Sequence, residues 1–381
     1  MKGACAIAID DGKVFFSFGL LKKPAFLFIE EFSITISQKS ADLFSSIKDN
    51  AEMINRTIDN VAKRHNLKID KVFLELPQSF INTKIVTDIV PLRGKRKVSF
   101  SDIKLIKKYL EDKFLDWDDY CIHNIGLQFT TRGATYQEPP YGVWAKKLAV
   151  KSLLVSIKDK VYKELEDIFD NFGRQFLGLV SSMVSTYANV FTKPDKPQVV
   201  MYCGYQQSSF VVRKKGDFVF SEEVNFNLKS LIDKLAKRFF LDFALAEELF
   251  ERYISFKEIP YFKEITIKKG TGYANLSIQT MNLFMKDYIK SEVENLFQLI
   301  NLHTDGEEFI FSFLGQLGNK DGFYKFLRGC VSCELATSLE RSVQSTSFGC
   351  LRYGLSPFLE LDYRKNKSFL QRAVSIYREY F

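Results

Sequence analysis

Apolar residues fall in two rhythms along this chain, and the strand rhythm opens it. Ala4 to Ile9 is a nearly continuous apolar run, Asp11-Gly12 is a strong two-residue turn signal, and Lys13 to Phe18 returns as a second strand. Ala25 to Ile36 extends the predicted sheet. Over Ser40–His65 the spacing changes: Leu43, Ile47, Met53, Ile54, Ile58 and Val61 recur at helical intervals. Lys71–Leu76 then reads as a buried strand stopped by Pro77. Strands, a helix and a further strand are the skeleton of an α/β domain.

From residue 82 the pattern shifts. Lys84–Leu92 predicts a strand, Ser101–Phe114 a helix capped by Ser99 or Ser101, and Tyr120–Thr130 and Ala145–Ser156 further strands. This block reads as a small α+β insertion. Asp159–Phe172 is helical and runs into Gly173, a C-cap residue, and Ser181–Phe191 predicts another helix. The clearest linker is Thr192-Lys193-Pro194-Asp195-Lys196-Pro197. Beyond it the opening pattern recurs, with a strand over Gln198–Cys203, its return over Ser208–Arg213, a Lys215-Gly216-Asp217 turn and a third strand over Phe218–Val224. Helices are predicted over Leu228–Phe239 and Ala244–Tyr253, and a late strand over Glu307–Leu314 leads to Gly315, Gly318 and Gly322. Two halves that begin alike predict a duplicated architecture. The boundaries expected are a first lobe over 1–81 and 157–197 with an insertion at 82–156. A second-lobe core follows over 198–225 and 306–360, with an outer subdomain over 226–305.

The terminus carries its own pattern. On a helical projection of Asn366–Phe381, one arc holds Phe369, Leu370, Ala373, Val374, Ile376, Tyr377, Tyr380 and Phe381, and the other holds Gln371, Arg372, Ser375, Arg378 and Glu379. Arg364, Lys365 and Lys367 lead in. An amphipathic helix at 364–381 suits an anionic membrane surface, and it equally suits docking on its own domain.

Composition narrows the classes. The 381 residues are 46% hydrophobic and 26% charged, as in ordinary globular proteins, and 37 phenylalanines predict aromatic-rich cores. No apolar run approaches the ~20 residues that span a bilayer, and the opening MKGACAIAIDD is not a signal peptide. The expectation is a cytoplasmic protein. A net charge of +8 allows an anionic partner, but the basic residues are scattered and carry no nucleic-acid recognition motif. The lone Cys330-x-x-Cys333 pair lacks the second pair or histidine a zinc site needs, and His65, His123 and His303 are too far apart in sequence to assign a constellation. No metal site and no catalytic residue is expected.

The order of parts resembles the actin-like ATPase superfamily and, within it, the FtsA family of bacterial cell-division proteins. Pro140-Tyr141-Gly142-Val143-Trp144-Ala145-Lys146-Lys147-Leu148-Ala149-Val150 is similar to that family's Asp-Pro-x-Gly-Met-x-Gly-x-Arg-Leu-Glu segment in its inserted subdomain. Ile89–Gly94 running into Val98–Ile103 is similar to the strand and helix start of the same insertion, and the terminal helix looks like the family's membrane-targeting helix. The resemblance implies two actin-like lobes, ATP with Mg between them, filaments on the inner membrane and a tether for the FtsZ ring.

The nucleotide motifs depart from that pattern. The first phosphate loop falls on Asp10, Gly12 and Lys13 without its Thr-Ser pair. The second falls on Tyr202–Ser209 and keeps only Gly204 and the Ser208 hydroxyl, with both acidic residues gone. Glu247 matches a ribose-binding position and Gly315 the start of the adenosine loop, where Gln316 and Leu317 follow instead of glycines. Glu247 and Lys13 either still hold ribose and phosphate or only maintain the fold around a narrowed cleft. On the helix that in FtsA receives the FtsZ C-terminal peptide, Asp287 stands where the family has Arg, and Lys286 and Lys290 offer positive charge instead. The resemblance therefore implies a scaffold with weak or lost ATP binding. It would self-assemble on the cytoplasmic face of the membrane at the division septum, held to anionic lipid by Phe369, Leu370, Arg372, Val374, Tyr377, Arg378 and Phe381. The alternatives are an active actin-like ATPase and an adaptor of a pilus platform, like PilM, that binds a partner peptide.

Overall fold

The computed structural model describes residues 2–10, 13–22, 25–36, 43–136, 138–171, 174–189, 196–214, 217–257, 263–269, 272–336 and 346–355. The chain divides into two compact units. One comprises 1–189 with 347–381, the other 190–346.

The first unit begins with β1 (Lys2–Asp10), β2 (Lys13–Lys22) and β3 (Ala25–Thr35), a pair of antiparallel connections. Helices α1 (Leu43–Asp49) and α2 (Ala51–Arg64) follow, then β4 (Lys68–Leu76), parallel to β1. The single helix expected over Ser40–His65 is two. Asn50 breaks it by turning its own side-chain amide onto the Ser46 carbonyl (2.9 Å). Ile54, Ile58 and Val61 on α2 are buried, spaced to face the sheet. Next come β5 (Asn82–Lys97), α3 (Phe100–Phe114), β6 (Asp119–Thr131), β7 (Ala134–Tyr136) and β8 (Trp144–Lys158). These strands form a separate sheet in the order β5-β8-β6-β7. Ile103, Ile106 and Leu110 of α3 close one face of it over Val86, Leu148 and Val150. The α3 cap is Ser99, which with Asp102 forms a reciprocal capping box. Then α4 (Asp159–Asp170), β9 (Gln175–Ser181) and α5 (Ser182–Asn189) return to the body, whose sheet order is β3-β2-β1-β4-β9.

A helical stretch over 347–355 also packs in this unit. Ser347 Oγ lies 2.7 Å from Ser17 Oγ, Phe348 meets Phe28 edge-on, and Tyr353 meets the ring of His123 edge-on. Gly354 presses on the Phe73 ring so closely that a Cβ would overlap it. The sequence pattern predicts 306–360 as part of the second lobe. From Ser347 the described residues instead belong to the first unit, where they pack on Ser17, Phe28, Phe73 and His123.

The second unit repeats the scheme with β10 (Gln198–Cys203), β11 (Ser208–Lys214) and β12 (Asp217–Glu223) antiparallel in turn. It continues through α6 (Leu228–Phe239), α7 (Phe243–Tyr253), β13 (Glu264–Lys269), β14 (Gly272–Ser277) and α8 (Ile278–His303). It ends with β15 (Ile310–Gly315), a 3-10 turn over Gln316–Asn319, α9 (Phe323–Cys330) and β16 (Glu334–Leu335). The sheet order β12-β11-β10-β15-β16 reproduces that of the first unit, with β15 parallel to β10 as β4 is to β1. The expected aromatic-rich cores occur in both units: Phe15, Phe16, Phe18 and Phe129 in the first and Phe210, Phe250, Phe311, Phe313 and Phe323 in the second are almost wholly buried.

Candidate functional site

The second-unit phosphate-loop position is a closed turn. Between β10 and β11 the Gly204 amide donates to the Ser208 hydroxyl (3.2 Å) and to the Gln207 carbonyl (3.0 Å). The start of α6, which faces this turn, is also satisfied. Leu228 N–H donates to the Gly204 carbonyl (3.0 Å), Lys229 N–H to the Tyr205 carbonyl (2.9 Å), and Ser230 N–H to the Asn227 side chain (2.9 Å). A helix N-terminus and a glycine loop bind phosphate through amides that point at the ligand with no protein partner. At this turn those amides are spent on the protein itself.

The neighbouring positions agree. Tyr205 OH donates to Glu247, so the carboxylate matched to ribose instead fastens the hairpin to α7. Gly315 has φ +111, and a Cβ there would run into the Cys203 carbonyl of the paired strand. Its glycine is required by strand proximity. Leu317 is fully buried, and Lys320 reaches α7, donating to the carbonyls of Phe250 and Glu251 (2.9 Å each) and lying over the Phe250 ring. Burial lowers the Lys320 ammonium pKa, while Glu251 raises it. Further along, Phe256 N–H donates to the Asp321 carbonyl (2.7 Å). The loop and helix that would flank a purine are thus stitched together. In the first unit Asp10 pairs directly with Lys13 at the end of the β1–β2 ladder. Gly12 lies outside the described residues. The residues of the second unit do not fit a nucleoside triphosphate and its metal, and no chemical step is assigned to them.

The expected peptide-binding helix is α8. Lys286 Nζ donates to the Lys257 carbonyl (3.1 Å), and Asp287 and Lys290 are exposed. A different flank of α8, the one that meets α6, carries a basic and aromatic patch the sequence did not disclose. Phe284 packs edge-on against Phe239 and stacks on Tyr288, Arg238 lies over Phe284, and Lys234 lies over Tyr288. Phe240, 78% exposed, holds a left-handed conformation (φ 53) at the end of α6. A helical wheel of α6 alone places Lys234 and Arg238 on a polar face; only the pairing of α6 with α8 sets aromatic rings beneath them. The seven residues from Phe369 to Phe381 expected to bind lipid lie outside the described residues.

Other titratable clusters have structural explanations. Asp116, Asp118 and Asp119 are close together, but Lys158 pairs with Asp118 (3.0 Å) and Asp119 (2.9 Å). Burial pushes the Cys333 thiol up to about 11 and also raises Cys330, the opposite of an activated thiolate. His65 contacts Glu30 (3.2 Å), His303 stacks on Phe220, and His123 Nε2 accepts the Ser181 amide (3.0 Å).

By sequence the chain matches no protein-family model and no curated protein. By structure it is similar to a PilM–PilN type IV pilus biogenesis complex at 12% identity, covering 93% of this chain and 98% of that one, with a TM-score of 0.59. It is also similar to the ethanolamine utilization protein EutJ from Carboxydothermus hydrogenoformans, at 7% identity over 93% of this chain and 90% of that one, with a TM-score of 0.52. A nucleotide-free diol dehydratase-reactivating factor superposes at 8% identity over 96% of this chain and all of the other, with a TM-score of 0.50. The chain has the actin-like ATPase fold, with two similar α/β lobes and a small insertion in the first.

Proposed function

We propose that this protein is a non-hydrolysing actin-like scaffold that assembles on an anionic membrane surface and holds partner proteins there, as FtsA tethers FtsZ. The observation that carries the reading is the consumption of the Gly204, Leu228, Lys229 and Ser230 amides within the protein. A lobe that spends its phosphate-binding donors on itself keeps the shape of an ATPase without its substrate. Work then falls to surfaces: the aromatic and basic patch between α6 and α8, and the amphipathic segment 364–381. A single short helix anchors reversibly, so several tails in a filament would supply avidity. The proposed place of action is the cytoplasmic face of the membrane at the septum, with the FtsZ C-terminal peptide as partner.

The test is co-sedimentation with vesicles containing phosphatidylglycerol, using the full chain and a chain lacking 364–381, with and without ATP and FtsZ. Full-length protein should pellet and recruit FtsZ irrespective of ATP; the shortened chain should stay in solution. Equal pelleting of both chains would remove the anchor, and strict ATP dependence would remove the non-hydrolysing reading. A second reading, a pilus-platform adaptor, is favoured by the similarity to PilM in its complex with PilN. It predicts binding to a short cytoplasmic peptide of a membrane partner and no recruitment of FtsZ.

A further inference from the structure

The insertion sheet carries α3 on one face, and the other face is lopsided in charge. Along β5 the residues facing α3 are Val86, Val90 and Leu92, so Ile85, Thr87 and Ile89 point the other way. Ile85 and Ile89 are 53% and 55% exposed. Register sets Thr87 opposite Lys151 and Pro91 opposite Lys147. Between Pro91 and Arg96 the strand bulges, and the outer surface adds Arg93, Lys95, Lys97 and Lys146. None of these six cations forms an ion pair among the described residues, although Lys97 lies over the Trp144 ring. β8 has no acidic residue, and the one in β5, Asp88, is engaged by Lys113 of α3.

The same strand is the edge of its sheet, bonded only to β8. Backbone groups alternate sides along a strand. Ile89 N–H donates to the Asp88 side chain (2.9 Å), so the odd-numbered residues direct their N–H and C=O groups away from β8. Past that point the edge is shut, since Ile89 N–H is taken and Pro91 has none. Over Thr83–Thr87 it stays open. An edge closed at one end and open at the other is selective, unlike a fully guarded one.

We infer that this edge and face bind an extended acidic segment of a partner protein, which adds a strand beside β5. Its apolar side chains would cover Ile85 and Ile89, and its carboxylates would meet the lysines at 147 and 151. Backbone pairing would supply affinity, and the cations would select against neutral or basic strands. This surface is separate from the patch between α6 and α8, and the inference stands whether or not segment 364–381 binds lipid.

The experiment is selection from a displayed library of random 12-residue peptides on the full-length chain, on K147E/K151E and on T87P. Wild-type protein should enrich acidic sequences with alternating β-branched residues. Their affinity should fall about tenfold or more in K147E/K151E, with the circular dichroism and melting temperature of that variant unchanged. T87P should lose them as well, because it blocks pairing while keeping the charge. No enrichment, or enriched peptides that bind both variants as well as wild type, would overturn the assignment. So would phosphatidylglycerol vesicles binding the chain without 364–381 through these same lysines while no acidic peptide is enriched, which would make the face a lipid contact.

Discussion

At the scale of single residues, His123 is the most informative. It sits on β6 of the insertion, buried, with Nε2 accepting the amide of Ser181 at the end of β9. Burial lowers its pKa from 6.5 to about 3. The sign follows: the unfolded chain takes up a proton below about pH 6.5 and the native ring does not until near pH 3. Its stabilising contribution is therefore complete above the unfolded value and is lost as acidity rises through that window. Denaturant titrations of wild type and His123→Phe between pH 7 and 5 should differ in slope by up to one proton, ~1.4 kcal/mol per pH unit. The variant will be less stable at neutral pH, having lost the acceptor for Ser181, but its profile should be flatter. Gly315→Ala combines a strained φ with overlap on the Cys203 carbonyl. A loss on the order of 3 kcal/mol, read as a large fall in melting temperature, is expected. Some of this detail is legible: the sequence offers Ser99 or Ser101 as the cap of α3, and Ser99 is the cap. Arg174 is not. Its guanidinium is buried and holds Asn55, the Ile69 carbonyl and Asp59 (2.6 Å to the last), more than a hundred residues away. No local pattern encodes that pairing.

Elements were read well where one face is buried and poorly where neither is. The helix expected over Leu228–Phe239 has those bounds, because Leu228, Leu231, Ile232 and Leu235 mark its buried side. The hairpin of β13 and β14 is not legible in the pattern: Ile267 is its one fully buried apolar residue, Ile265, Ala274 and Leu276 are only partly covered, and Tyr273 is exposed. The same logic applies to the phosphate-loop turn. Its sequence shows which family residues are missing, while the bonds from Leu228 and Lys229 that close it depend on α6 arriving from 24 residues later. Asn227 organises that arrival. Asn227→Ala should cost about 1 kcal/mol through loss of the capping box, measurable as a lower melting temperature. Lys320→Met tests the neighbouring closure. It keeps the stem over Phe250 but strips the donor from the last carbonyls of α7, and a loss of about 1–3 kcal/mol is expected in the same assay.

For the whole molecule, duplication was visible as two strand–turn–strand openings, and both sheets carry the same strand order. The division between units was partly visible, since the proline-rich linker lies at the change from one to the other. The return at Ser347 was hidden because a short helix gives no clue to which body it covers. A closed phosphate turn implies that Mg-ATP gives no stabilisation by mass action. A ligand present at a hundred times its dissociation constant would add ~2.7 kcal/mol, so millimolar Mg-ATP should leave the melting temperature within about one degree. A clear rise would show a nucleotide site and defeat the scaffold reading. The route of the chain has a further consequence, for synthesis on the ribosome. The second unit is continuous in sequence, whereas the first lacks Ser347, Phe348, Tyr353 and Gly354 until the whole of the second has been made. The lobe begun first therefore lacks its packing on Ser17, Phe28, Phe73 and His123 until its successor has been made, and during that interval the nascent chain is most in need of a chaperone.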